Sequence, residues 1–402
     1  MKKFFYDLSF SFTSMVVPMI VLQLIIYPIV SRRISDDTYG LMITTFSMIM
    51  LVAGTFGTEF NNIRLLKENS YKKEGLVGDF NFLLIGYNII SIIVMFIIMR
   101  MLDYELNLFS LVVIVLIAAL MLINSYAEVA FRLVLDYQKI LMSKVMMAVG
   151  YLVGLGLFLL TRHWELIYFS SQFCTFIFFL WKTDLLHEGF QRTKLLKETL
   201  KDATFLQVSG FLLRAINYAD KLLLFPLLGG AGVSIYYTAN LFGKIILEGL
   251  TPVNNVILSY LRRRETFSNQ IFLLYTLVCS LVCAVGYFVC VLISRPVLTI
   301  LFPQWVDSAM ELVPVTTLSI CVFAVSSLLL PFTLKFCNIM WQVLINGSTF
   351  VLYIICAYSF FQLYGAKGFC FGILLGYVCR LLLVIIIYLA NNRKKEKVEV
   401  NE

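Results

Sequence analysis

Read for hydropathy alone, the chain is a series of apolar runs separated by short polar connections. Twelve runs stand out, at residues 11–30, 39–56, 82–99, 108–127, 140–160, 166–181, 205–228, 233–258, 271–293, 312–334, 343–361 and 369–389. Each is near the length a helix needs to cross roughly 30 Å of hydrocarbon, whereas barrel strands would appear as alternating segments of about ten residues. Inside lipid every backbone N–H and C=O must be satisfied within the segment, which again selects helices. The pattern therefore predicts an all-α polytopic membrane protein with twelve transmembrane helices. It leaves no stretch that could fold as a sizeable water-soluble domain. The first run is too long, too polar at its start and too poorly followed by a small-residue cleavage site to read as a removable signal, and it is expected to remain as the first helix.

Composition agrees with the pattern. The 402 residues are 60% hydrophobic and 14% charged, with a mean hydropathy of +0.88, outside the range of ordinary soluble domains. The net charge of +8 is explained by topology. With both termini inside, 22 of the 32 Lys and Arg residues lie in or beside the inner connections, six lie in the outer ones and four lie within the runs. That asymmetry places both termini in the cytoplasm and needs no nucleic acid to account for it.

The longest inner connection falls at mid-chain and is basic. It predicts two bundles of six helices around a central cavity: residues 1–183, a cytoplasmic basic linker at 184–203, and residues 204–402 with a short tail. Matching connection lengths in the two halves suggest a parallel six-plus-six repeat, an arrangement that often sets a substrate path at the junction of two rocking halves. Small residues four apart, Gly150 with Gly154 and Gly368 with Gly372 and Gly376, predict close helix approach. Pro18, Pro226, Pro252, Pro314 and Pro331 fall within or near the ends of runs, where a missing hydrogen bond bends a helix.

Enzymatic and metal chemistry find little support. The nine cysteines lie in or at the edges of apolar runs, and the two histidines, His163 and His187, fall on opposite sides. The pattern gives no disulfide framework, zinc site, Ser/His/Asp triad or catalytic residue, and no cofactor is expected. A phosphate-cradling loop of the Walker type is absent from the sequence, so hydrolysis of ATP on this chain is not expected.

Charge inside the runs carries the functional signal. Arg214, Asp220, Lys221, Lys244 and Glu248 occupy the seventh and eighth runs, joined by a turn at residues 229–232, and Arg380 stands near the middle of the last run. A bare charge at the centre of a membrane helix costs about 2.5 to 3.5 kcal/mol on insertion scales, so such residues face a bundle interior, a wet cavity or each other. Counted from the turn, Arg214 and Glu248 lie at similar depth, and Asp220 and Lys244 are offset by about 4.5 Å. Two cross-hairpin ion pairs are therefore geometrically open, with the charges then serving only helix register. Alternatively, Arg214, Lys221, Lys244 and Arg380 form a cationic substrate-binding wall, with Asp220 and Glu248 as coupling or ion-pair acids. Four cations exceed two acids, and an Arg and Lys mixture suits a phosphate-bearing ligand such as a diphosphate. Glu59, Glu128, Asp220 and Glu248 are the acids closest to the membrane interior and the candidates for H+ or Na+ coupling, although Glu59 and Glu128 lie near the cytoplasmic ends of their runs, where water or Arg64 and Arg132 can satisfy them.

Three local patterns resemble the polysaccharide transporter family, including Wzx-type O-antigen and oligosaccharide-lipid flippases, within the multidrug/oligosaccharidyl-lipid/polysaccharide exporter superfamily. They are Arg33-Ile-Ser-Asp-Asp-Thr-Tyr39-Gly40 after the first helix, Asp220 followed by Gly229 to Gly232, Tyr236 and Ala239, and Tyr364-Gly365-Ala366-Lys367-Gly368 before the last helix. The resemblance covers nearly the whole chain through the order of these patterns. It implies a multi-pass protein of the bacterial inner membrane, not an enzyme, that moves an undecaprenyl-diphosphate-linked oligosaccharide from the cytoplasmic to the periplasmic leaflet. The implied partners are that lipid-linked sugar, membrane lipids and other polysaccharide-assembly membrane proteins. The alternatives are a multidrug-type exporter of the same superfamily and, further away, a membrane polysaccharide polymerase. A polymerase is disfavoured because the longest outer connection is modest. The chain lacks the additional C-terminal helices of some relatives, which speaks against a lipid II flippase.

Overall fold

The computed structural model describes residues 2–76, 79–102, 107–190, 192–243, 245–247, 253, 254, 257, 261, 268–337 and 340–399. Its long elements are α1 (Lys2–Ile20), continued by a π-helical turn (Val21–Ile26) into α2 (Tyr27–Ser31), then α3 (Asp36–Glu74), α4 (Asp79–Met101), α5 (Leu108–Ala127), α6 (Val129–Leu133), α7 (Tyr137–Thr161) and α8 (Glu165–Lys182). They are followed by α9 (Leu196–Ala239), α10 (Asn269–Leu301), α11 (Val306–Phe336) and α12 (Met340–Glu399). No strand occurs among the described residues.

Two of these helices are broken. Gly229 in α9 has φ 68° and ψ −173°, and Gly365 in α12 has φ 60° and ψ −140°. Both are left-handed positions that glycine adopts without a Cβ penalty, and each divides its helix into two arms. With those breaks, the twelve expected runs all have helical counterparts, the eighth described only in part. By length and composition alone, nine helical stretches among the described residues could cross a membrane, one of them, Met340–Asn391, running through the break at Gly365. The shorter α8 is less apolar because it carries Ser170, Ser171, Gln172 and Thr175, all four buried. The molecule is an all-α polytopic protein, and two bundles of six helices are consistent with it.

Helix ends follow local chemistry. Ser35 caps α3 by accepting from Thr38 N at 3.2 Å, with Asp36 and Asp37 in the first turn, where acidic groups complement the helix dipole. Asn107 caps α5 through Ser110 N at 2.7 Å, and Asp136 caps α7 through Lys139 N at 3.1 Å. α3 ends on Gly75, whose φ is 63°.

The largest departure from the hydropathy pattern is α3. Its run was expected to end at residue 56, yet the helix continues to Glu74, 39 residues in all, or about 58 Å at helical rise. The extension is amphipathic: Phe60, Ile63, Arg64 and Tyr71 are buried at a spacing that keeps one face inward.

By contacts the chain forms two compact units, Met1–Val233 and Ser234–Glu402. This places the first arm of α9 with the first unit, whereas the repeat pattern assigns that helix to the bundle beginning at residue 204. In the first unit α7 lies against α8, where a Cβ on Gly150 would stand 2.6 Å from Ser171 Cα and one on Gly154 2.6 Å from Ile167 Cα. The paired glycines are thus a close-approach seam. In the second unit, the arms of α12 make a similar seam: Gly372 faces the Cys356 carbonyl oxygen, 2.4 Å from where its Cβ would be. All nine cysteines are free thiols.

Candidate functional site

Arg214 sits on the first arm of α9, on the face that also carries Thr199, Ala203, Gln207 and Gly210. This face lies along α3. Gln207 Nε2 donates to the Phe56 carbonyl at 2.8 Å. A Cβ on Gly210 would be 2.5 Å from Glu59 Oε1, so the glycine makes room for that carboxylate. One turn further on, Arg214 Nη2 donates to Thr58 Oγ1 at 2.9 Å. The Thr58 hydroxyl in turn donates to the Gly54 carbonyl at 2.8 Å, which leaves its oxygen free to accept. Arg214 is half-buried and forms no ion pair among the described residues. Its guanidinium has five N–H donors, and one neutral hydroxyl does not satisfy its charge.

Asp220 and Lys221 are both buried, 5% and 1% exposed, and they pair with each other. Lys221 Nζ donates to Asp220 Oδ1 and to the Asn217 carbonyl at 3.3 Å, and Asp220 Oδ1 also accepts from Lys221 N at 3.0 Å. Adjacent helical residues point about 100° apart, so neighbours do not ordinarily face each other. Here the carboxylate folds over its own following N–H and the long lysine stem reaches back to it. Lys221 is therefore charge-compensated locally. Lys244 and Glu248 lie outside the described residues, as do both cross-hairpin pairings that involve them.

The turn after Asp220 docks on the segment after the first helix. Asp37 Oδ1 accepts from Ala231 N at 2.9 Å. A Cβ on Gly230 would be 2.2 Å from the Asp37 carbonyl oxygen, and one on Gly40 1.8 Å from the Gly230 carbonyl oxygen. Two of the three patterns that carried the family resemblance are thus in contact. The sequence showed them only as separate stretches nearly 200 residues apart.

Arg380 belongs to the second arm of α12, in the second unit. It is 1% exposed, with its guanidinium carbon 4.8 Å from the centroid of the Phe323 ring. Its Nε and Nη1 make no hydrogen bond among the described residues. Tyr377, one turn earlier, lies 4.7 Å from Phe323 and 5.9 Å from Tyr353 by ring centroids. The aromatic face recovers part of the desolvation cost of this buried cation. Its Nε and Nη1 are thus buried without a hydrogen-bond partner among the described residues.

Several polar residues that the hydropathy pattern did not single out form a second charged layer on the extension of α3. Arg64 makes a bidentate pair with Glu188, at 2.8 and 2.7 Å, and reaches Glu68 at 3.1 Å. Lys67 pairs with Glu198 at 2.5 Å and Asp202 at 2.6 Å. Asp79, fully buried, accepts from Tyr71 Oη at 2.8 Å, from Thr193 N at 2.8 Å and from the Thr193 hydroxyl. Glu128, a candidate coupling acid, pairs with Lys144 at 2.8 Å, and Glu59 accepts from Asn62 Nδ2 at 3.0 Å. The sequence signal for this layer was the four acids Asp184, Glu188, Glu198 and Asp202 in a connection read as basic, of which the last three join it.

Comparison with known proteins bears on the fold. The chain aligns with a lipid II flippase, MurJ, in an inward closed conformation, with a TM-score of 0.76 at 12% identity over 96% of this chain and 90% of that one. The chain has a MATE/MurJ-like fold. A multidrug resistance MATE family transporter of the MOP superfamily in its inward-facing conformation gives 0.65 at 15% identity, covering 97% and 95%. The outward-facing conformation of such a transporter gives 0.62 at 14%, covering 96% and 95%. No family model and no curated relative matches the sequence. The solved structures named here are of transporters and a flippase, and at 12–15% identity the likeness is one of fold.

Proposed function

We propose that this protein is a flippase for undecaprenyl-diphosphate-linked oligosaccharide repeat units, of the O-antigen or capsule type. It would move them by alternating access from the cytoplasmic to the periplasmic leaflet of a bacterial inner membrane, with both termini cytoplasmic. The observation that carries this reading is the state of the two arginines. Arg214 has a hydroxyl for its partner, and Arg380 is buried with two unbonded nitrogens, while Lys221 is held by Asp220. Arginines without carboxylates offer planar forks suited to phosphate oxygens.

In this reading Arg214 in the first unit and Arg380 in the second are each a cation that the passing diphosphate can meet, and Lys244 is a further one. Lys221 joins them when Asp220 turns away. Asp220 and Glu248 reset the path, coupled to H+ or Na+. The glycan crosses with the diphosphate while the polyprenyl tail stays in lipid.

A multidrug-type exporter is the second reading, supported by the likeness to MATE transporters. Arginines without acid partners suit a cationic drug poorly, which favours the lipid-linked anion. The deciding experiment is deletion of the gene followed by lipid extraction with leaflet-selective labelling. Single lipid-linked repeats accumulating toward the cytoplasm are expected. Repeats accumulating toward the periplasm would indicate a polymerase, and normal glycans with lowered drug resistance would indicate an exporter.

A further inference from the structure

The segment joining α8 to α9, with the first turns of α9, pairs most of its acids and leaves most of its cations unpaired. Three of its four acids are paired with α3: Glu188 with Arg64, and Glu198 and Asp202, which are themselves exposed, with Lys67; Asp184 is exposed and has no ion pair among the described residues. Backbone contacts hold the same side down, with Asn81 Nδ2 donating to the Glu188 carbonyl at 2.7 Å and Thr193 N to Asp79 at 2.8 Å. The cations turn outward. Lys182, Arg192, Lys197 and Lys201 are exposed, and none has a carboxylate within ion-pairing distance among the described residues.

The start of α9 orders these groups by depth. Thr199, Ala203, Gln207 and Gly210 form its buried face, whereas Lys197, Lys201, Phe205 and Val208 form an exposed stripe at helical spacing. Along that stripe cations give way to apolar side chains within one turn, about 6 Å. The same join of cation and aromatic recurs twice. Exposed Trp181 precedes Lys182 in the chain, and the Arg192 guanidinium lies 4.6 Å from the centroid of the Phe82 ring. Aromatic rings beside Lys and Arg mark the level where hydrocarbon meets headgroups.

We infer that this segment is a docking surface for anionic phospholipid headgroups of the leaflet it faces. Lys182, Arg192, Lys197 and Lys201 hold the phosphates, and Trp181, Phe205 and Val208 contact the acyl region. Against these four unpaired cations stands one exposed acid without an ion pair, Asp184, the other three acids being compensated by Arg64 and Lys67, so charge complementarity selects this occupant. The inference is independent of what the protein transports.

The test is native mass spectrometry of the full-length protein released from mixed phosphatidylglycerol and phosphatidylcholine membranes, compared with the variant carrying Lys182→Gln, Arg192→Gln, Lys197→Gln and Lys201→Gln. The native chain is expected to retain phosphatidylglycerol over phosphatidylcholine by at least about fivefold, the ratio one basic residue near a charged surface supplies. The variant, with an unchanged melting temperature, is expected to lose most of that preference. A second readout is fluorescence of Trp181, with Trp164, Trp305 and Trp341 replaced by Phe. Brominated phosphatidylglycerol should quench it more than brominated phosphatidylcholine at equal mole fraction. Equal retention of the two lipids, an undiminished preference in the folded variant, or displacement of the lipid by inorganic phosphate would overturn the inference.

Discussion

A Cβ placed on Gly40 would lie 1.8 Å from the carbonyl oxygen of Gly230, so these two residues meet backbone to backbone. The start of α3 and the turn that breaks α9 are locked at a distance only glycine permits. Gly40→Ala is expected to force them apart and cost about 1–3 kcal/mol, the usual range for overpacking. Gly86→Ala is the control, since Gly86 lies within α4 with nothing within 4 Å of its absent Cβ. That change should be neutral or stabilise by about 0.5–1 kcal/mol through helix propensity. Thermal melts of the purified protein separate the two, and equal melts would discount the contact.

Arg64 and Glu188 tie the linker to α3 through two parallel hydrogen bonds, with side-chain exposures of 8% and 19%. Arg64→Glu or Glu188→Arg alone sets like charges together at that spot and is expected to cost about 3 kcal/mol. The swap of both should recover most of the loss. Glu68, also bonded to Arg64 at 3.1 Å, limits the recovery because it would then face a second carboxylate. No recovery at all would show that the linker is held by its backbone contacts alone.

Arg214→Ala is expected to lower surface polysaccharide at native expression while the protein stays in the membrane. Its side-chain hydrogen bond to Thr58, the one it makes among the described residues, contributes little to stability, about 1 kcal/mol, so the melting temperature should change modestly. Arg214→Lys keeps the charge but not the fork and should give partial activity. Full activity from Arg214→Ala would remove this residue from the path.

Arg380→Met distinguishes a ligand cation from a structural one. The side chain is 1% exposed and its Nε and Nη1 are unbonded among the described residues, so an apolar replacement of similar length removes a desolvation penalty. The melting temperature is expected to hold or rise while export falls. A protein that both melts lower and loses export would assign Arg380 to packing on Phe323.

The hydropathy pattern located the helices well where a cap and an apolar boundary coincide. α5 occupies residues 108–127 as expected because Asn107 caps its start and the apolar run ends with the helix at Ala127. α3 overran its run because Phe60, Ile63 and Tyr71 bury one face of a segment that is polar on average. The cations were legible as anomalies, since a charge among apolar residues is visible in any sequence. Their partners were not, because pairing depends on side-chain reach: Lys221 bends back to its neighbour, and Glu188 crosses 124 residues to meet Arg64.

The buried pair of Asp220 and Lys221 offers the sharpest separation between scaffold and function. Lys221→Met deprives Asp220 of its lysine in a buried site, where breaking an ion pair typically costs about 3–5 kcal/mol. Asp220→Asn together with Lys221→Met removes both charges and should restore most of that stability, because the amide oxygen can still accept from the backbone N–H of residue 221, as Asp220 Oδ1 does at 3.0 Å. Export in the double variant then reads out function. If the pair serves only to fix the helix, export returns with stability. If the lysine is released to a phosphate when the acid gives it up, the double variant folds, reaches the membrane and still fails to export. The proposed role of Lys221 in the path requires this second outcome, scored by surface polysaccharide beside the melting temperature.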